Sequence, residues 1–344
     1  IKTTMLSLSK NLYIVDELKW AFIDAILNKR MNEAIFWMYE YYESGYRKES
    51  WQLLFATYIN FYYKNYSNYY NKLIKMYEKW KKDENFDIVL DLIYRFNLWG
   101  RKNTELFEIV IKCLKCKEVS IEVDDKTYKR CNVNKELMYG NLVRSLEVQN
   151  YRNLWFYICY AYEESKKTIS KYYKGKINIL YEDIIDKRLQ VLMYVYKKNG
   201  NKIKRKTFKI KINKEVQNFY ESISVMESKP VYNYLSRVRK FNIPEEIGCF
   251  NLERYNYDYD DIMKNYFYKW EYMANGSPIW KKRIDCWFGE FDKENNINFP
   301  NDDLMEKFYE KYGLEPDEQS EKVHMKGLVK LKRYPIRDWI DSLK

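Results

Sequence analysis

Cys113-Leu-Lys-Cys116 is the one spacing in this 344-residue chain that fits a metal-ligand pattern, with Cys131 following fifteen residues on. Two thiolates two residues apart can reach one Zn²⁺. A fourth ligand is lacking unless Cys159 comes from another helix. Cys113 also fits an apolar helical stripe, so buried structural thiols are the simpler expectation. Asp258, Asp260 and Asp261 are hard oxygen donors of the kind that hold Mg²⁺ in nucleases. With no second carboxylate cluster beside them, they read as the capping acids of a helix start. Glu315, Asp317 and Glu318 around Pro316 read as a solvated loop. The single histidine, His324, excludes HExxH and any two-histidine mechanism, and reads as a surface residue. No two glycines lie within five positions of each other, which excludes both the GxxxxGK[ST] and GxGxxG phosphate cradles. No catalytic set, bound metal or cofactor is therefore expected, and the expected role is non-enzymatic.

The positive feature is cationic. Residues 196–214 hold nine Lys or Arg (Lys197, Lys198, Lys202, Lys204, Arg205, Lys206, Lys209, Lys211 and Lys214) and no Asp or Glu. The formal net charge of +12 falls to +3 once these nine are set aside, so the rest of the chain is close to balanced. A local basic block marks one docking element rather than general polyanion coating. Leu189 to Tyr196 is an apolar run, Asn199-Gly200 is a strong two-residue turn signal, and Lys202 to Ile212 returns with Phe208, Ile210 and Ile212 on one face. A basic β-hairpin is expected, with a bulge near Arg205–Lys206 to bring Ile203 into phase. Three roles fit it. It can neutralise nucleic-acid phosphates, with Tyr194, Tyr196 and Phe208 available for base stacking; protect a strand edge from pairing; or dock on an acidic protein surface.

Composition sets the frame for these residues. Aromatics make up 18% of the chain, with 36 Tyr, 17 Phe and 10 Trp, and Gly and Pro number only 10 and 6. Lys, Asn, Ile and Tyr abound while Gly, Pro and Ala are scarce, the signature of an AT-rich genome. The tyrosines therefore read first as packing residues. Six scattered cysteines do not make a disulfide scaffold, and a reducing compartment is expected. No run of eighteen apolar residues is present and the first ten residues contain no secretory apolar region. A soluble intracellular protein without membrane contact is expected.

The fold expected is mainly α with a smaller β component, in three sections. Residues 10–117 read as six helices in three pairs beginning near 16, 50 and 85, a spacing of about 34 residues that matches helix–turn–helix repeats. Asp16, Asn32, Asp83 or Asn85, and Asn103 are the expected helix starts. Residues 118–213 read as a mixed α/β section: a hairpin over 119–131, helices at 134–148 and 151–166, a strand at 176–181 and the basic hairpin. Residues 214–344 read as helical and loop-rich, with helices at about 214–227, 230–240, 258–273 and 301–312 and an ambiguous stretch at 279–288.

Three segments, Asn-Leu-Tyr-Ile-Val-Asp-Glu-Leu-Lys-Trp (11–20), Glu-Ala-Ile-Phe-Trp-Met-Tyr-Glu-Tyr-Tyr (33–42) and Ser-Pro-Ile-Trp-Lys-Lys-Arg-Ile (277–284), carry a resemblance. With them the chain resembles uncharacterised proteins of giant, mimivirus-like DNA viruses. The resemblance is diffuse and contains no motif of known chemistry, so no functional residue is carried over. It implies a host-cytoplasmic setting, in the viral factory or the virion. The leading expectation is an interaction or scaffold protein that meets other viral or host proteins. The alternative is an RNA- or DNA-binding protein using the 196–214 hairpin, with an association with translation or transcription.

Overall fold

A computed structural model describes residues 7–100, 102–116, 135–163, 187–197, 211–225, 269–312 and 335–344. These residues are mainly helical, with one small antiparallel sheet of two strands. In chain order the helices are α1 (Val15–Leu27), α2 (Met31–Glu43), α3 (Arg47–Phe61), the short α4 (Tyr63–Tyr66) and α5 (Tyr70–Asp83). Then come α6 (Phe86–Leu98), α7 (Glu105–Lys115), α8 (Lys135–Glu147), α9 (Tyr151–Glu163), α10 (Lys187–Lys197) and α11 (Lys214–Val225). The C-terminal part holds α12 (Trp270–Ala274), α13 (Pro278–Cys286), strands β1 (Glu290–Phe291) and β2 (Ile297–Asn298), α14 (Asp302–Tyr312) and α15 (Ile336–Ser342). No helix among the described residues is long and apolar enough to cross a membrane.

Two compact units divide the chain, and each is assembled from distant pieces. The first comprises residues 1–50, 79–99 and 209–343; the second comprises 51–78 and 100–208 together with Lys344. Within the first unit α6 packs directly on both α1 and α2.

α1 is the centre of the first unit. Lys19 is its one residue that is not buried, the pattern of a helix enclosed on all sides. Asp16 does not cap it. Ile14 occupies the cap position, and Asp16 lies in the first turn with its carboxylate 3.3 Å from Lys19 Nζ, where the helix dipole favours negative charge. α15 closes the same core. The Trp339 ring lies 4.4 Å from that of Trp20, and its Nε1 donates to Asp24 Oδ1 at 3.1 Å. A second nucleus joins the chain's two ends: Leu8, Leu12 and Ile14 are buried with Trp270, Met273, Ala274, Trp280, Ile284 and Phe308.

Local signals explain several boundaries. Asn85 caps α6, its Oδ1 accepting from Asp87 N at 2.7 Å. Asn103 Oδ1 accepts from Glu105 N at 3.1 Å ahead of α7, with Thr104 at the cap position. α2 begins at Met31, with Arg30 rather than Asn32 preceding it. Gly45 ends that turn at φ +95°, and a Cβ there would sit 2.6 Å from Pro278 Cβ, so glycine is required twice over. The ambiguous stretch at 279–288 is largely helix α13, with Pro278 in its first turn and Ser277 Oγ accepting from Trp280 N.

In the second unit α3 and α5 meet through rings: Trp51 lies 5.3 Å and Phe55 6.1 Å from Tyr77. Phe61 packs on Phe107 of α7 at 4.8 Å, and α9 packs against α7, α8 and α10. The main correction lies in α10. The run Leu189 to Tyr196, expected as the first arm of the basic hairpin, is helical. Leu189, Gln190, Val191, Leu192, Met193 and Tyr196 are all buried, so an enclosed helix presents the same unbroken apolar run as an enclosed strand. The expected elements at 119–131, 176–181, 230–240 and most of 258–273, and the return arm 202–210, lie outside the described residues.

Candidate interaction surface

Of the nine cations, Lys197 is the last residue of α10, and Lys211 and Lys214 stand exposed at the start of α11. Lys198, Lys202, Lys204, Arg205, Lys206 and Lys209 lie outside the described residues. The stretch therefore leaves one helix and enters another, and along the chain it runs from the second compact unit to the first. Asn213 Oδ1 accepts from Glu215 N at 3.0 Å and so starts α11. Val216 is the one buried residue of this helix. Tyr220 fastens it: its ring stacks on Phe86 at 5.2 Å and 27° and meets Tyr39 edge-on at 5.7 Å, placing α11 against α2. Lys211 and Lys214 beside the positive end of the helix dipole are themselves unfavourable, and an anion there would relieve both.

Tyr196 is not available for base stacking. Its ring is buried in the second unit with Lys64 Nζ 5.5 Å from the centroid, and Lys64 in turn pairs with Glu105. Burial, then the nearby Glu105 carboxylate, holds the Tyr196 phenol far above its usual range.

Among the described cysteines, Cys113 alone is buried. Cys113 is buried on the apolar side of α7, and its thiol is pushed up to about 12 by burial, with Cys116 and Cys159 adding to the effect. Cys159 does come from a neighbouring helix, α9, but no group of three or more His, Cys, Asp or Glu among the described residues is placed to hold a metal ion. Asp258, Asp260, Asp261, Cys131 and His324 lie outside those residues.

No motif or spacing in the sequence singles out Glu40, which is fully buried on α2. Its Oε1 accepts from Ser9 Oγ at 2.6 Å and from Asn11 N at 2.7 Å, and its Oε2 from Asn11 Nδ2 at 2.7 Å. Lys10 N donates to Ser44 Oγ at 2.7 Å. From the far end of the sequence Trp280 Nε1 donates to Ser9 O at 2.7 Å and an Arg283 Nη donates to Lys10 O at 3.1 Å. The Arg283 guanidinium also lies over the Trp280 and Tyr312 rings at 4.5 and 4.9 Å. Burial raises the Glu40 carboxyl, while Ser9, Lys10 and Asn11 oppose the shift. With its acceptor sites on backbone and neighbouring side chains, this carboxylate staples residues 9–11 to α2 and, through them, to α13. Its chemistry is structural.

Comparisons with protein-family models, curated proteins and solved structures returned no match.

Proposed function

We propose that the protein is a non-enzymatic interaction or scaffold protein that works through contacts with other proteins. In line with the giant-virus resemblance, its setting would be the virion or the viral factory. α11 carries this reading. Exposed Lys211 and Lys214 lead into the helix, Phe219 and Ile223 stay half-exposed beside its docked face, and Val225 at its end is 79% exposed. Cations beside uncovered apolar side chains suit an acidic, partly apolar protein surface, with the apolar atoms supplying affinity and the charges speeding encounter. The test is co-purification from infected cells after nuclease treatment, comparing wild type with Ile223→Asp and Val225→Asp. A partner retained at high salt by wild type and lost from these variants supports the reading. Retention by both variants sinks it.

A second reading, nucleic-acid binding through residues 196–214, draws on the same exposed Lys211 and Lys214. It expects binding that weakens steeply with salt and is lost in Lys204→Glu, Arg205→Glu, Lys206→Glu. Salt-insensitive association would count against it.

A further inference from the structure

The solvent side of α5 carries a charge pattern outside the 196–214 stretch. Leu73, Tyr77 and Trp80 bury one side of this helix. At 3.6 residues per turn, Lys75, Lys79 and Lys82 fall within about 60° of one another on the opposite side. All three are exposed. A rise of about 1.5 Å per residue makes them a row about 10 Å long on one unbroken helix. Lys72, half-buried with its Nζ 5.4 Å from the Tyr69 ring centroid, extends the same line.

On other described helices three lysines meet a carboxylate one turn away: Lys19 with Asp16 at 3.3 Å, Lys281 with Asp285 at 3.5 Å, Lys307 with Asp303 at 2.9 Å. Glu78 and Asp83 stand one turn from the α5 lysines, yet Lys75, Lys79 and Lys82 form no ion pair among the described residues. Lys75 and Lys79 are moreover a like-charge pair four residues apart, which destabilises a helix. An uncompensated cation row is tolerated at lower cost when an anion neutralises it.

We propose that the exposed lysine row of α5 docks the phosphate backbone of nucleic acid. Two features choose phosphate over an acidic protein. The exposed residues of α5 are Asn71, Lys75, Glu78, Lys79, Lys81, Lys82 and Asp83, so no apolar side chain stands exposed along the row. Protein interfaces draw their energy from buried apolar anchors and are depleted in lysine, whereas backbone contacts need cations alone. The lengths also agree. One strand of a duplex offers a phosphate about every 3.4 Å, so a row about 10 Å long faces about three phosphates with three charges. Nothing on this face reads base edges, so binding is indifferent to sequence. The proposal is independent of the protein-partner reading of α11.

The experiment uses the full chain and a labelled mixed-sequence DNA duplex of about 20 bp, with anisotropy titrations between about 50 and 200 mM salt. Wild type is compared with Lys75→Gln/Lys79→Gln/Lys82→Gln and with Lys204→Glu/Arg205→Glu/Lys206→Glu. The row variant should weaken binding at least tenfold at low salt. It should also make the slope of log K against log salt shallower by about 2.7, or about 0.9 per lysine. Its melting temperature should not fall, because a like-charge row has been removed; if it does fall, single Lys79→Gln must still lose about 0.9 of slope. The 204–206 variant must retain the dependence on the α5 row. An unchanged slope in a folded row variant, absence of duplex binding by wild type, or row-dependent binding of poly-glutamate in place of duplex each overturns the proposal.

Discussion

At the scale of single residues, Glu40 shows how a charge becomes structural. A buried carboxylate is costly unless its lone pairs are occupied, and here three donors from Ser9 and Asn11 occupy them. Glu40→Ala leaves those donors buried without an acceptor and should lower stability by about 3 kcal/mol, read from denaturant midpoints. The pH dependence has a definite sign. Burial raises the folded-state pKa above the usual value of about 4.3, so the unfolded chain releases its proton first as pH rises. The contribution of Glu40 is then full below about pH 4 and is lost as pH rises through the folded-state value. Glu40→Gln cannot titrate, so the stability of wild type relative to Glu40→Gln should fall from pH 4 toward neutrality. The fall is about 1.4 kcal/mol for each pH unit that separates the folded from the unfolded pKa. A relative stability that climbs over that range would show the folded pKa to be depressed instead.

At the scale of elements, what the sequence discloses depends on how a helix is buried. α2, α6 and α7 bury one side, so their apolar periodicity and the signals at Asn85 and Asn103 place them within a few residues. α10 is enclosed all round, loses its periodicity and imitates a strand. Strands β1 and β2 have two residues each, too few to show alternation. Glu40 is invisible as a staple in the sequence because its partners lie 29 and 31 residues away and the supporting Trp280 contact to Ser9 spans 271. The three lysines of α5 are hidden by a charge count that singles out the denser 196–214 block. A tight element junction supplies a check on the packing. Gly45→Ala brings a Cβ against Pro278 at 2.6 Å in the left-handed region. It should cost about 2–4 kcal/mol from strain and overpacking combined. Gly100→Ala meets nothing within 4 Å and should stay within about 0.5 kcal/mol of wild type in the same denaturant series.

At the scale of the whole molecule, the decisive fact is that the two ends of the chain share a core. Leu8, Leu12 and Ile14 are buried with Trp270, Trp280 and Phe308, while Trp280 and Arg283 bond the backbone of Ser9 and Lys10. The C-terminal helices are short: α12 has five residues and α13 nine. Helices of that length are not stable alone in water, so their persistence depends on apolar cover from residues 8–14. Removing part of that cover should release them together. Leu8→Ala deletes a fully buried side chain and should cost about 3 kcal/mol. That corresponds to hydrogen exchange about 100-fold faster at the α12 and α13 amides wherever exchange proceeds through loss of this shared core. The same substitution should speed exchange at Tyr13 N, which donates to Ser9 Oγ at 3.1 Å inside the staple. If Tyr13 exchanges faster while α12 and α13 keep wild-type protection, the C-terminal helices hold themselves. The ends of the chain would then be neighbours without being energetically joined.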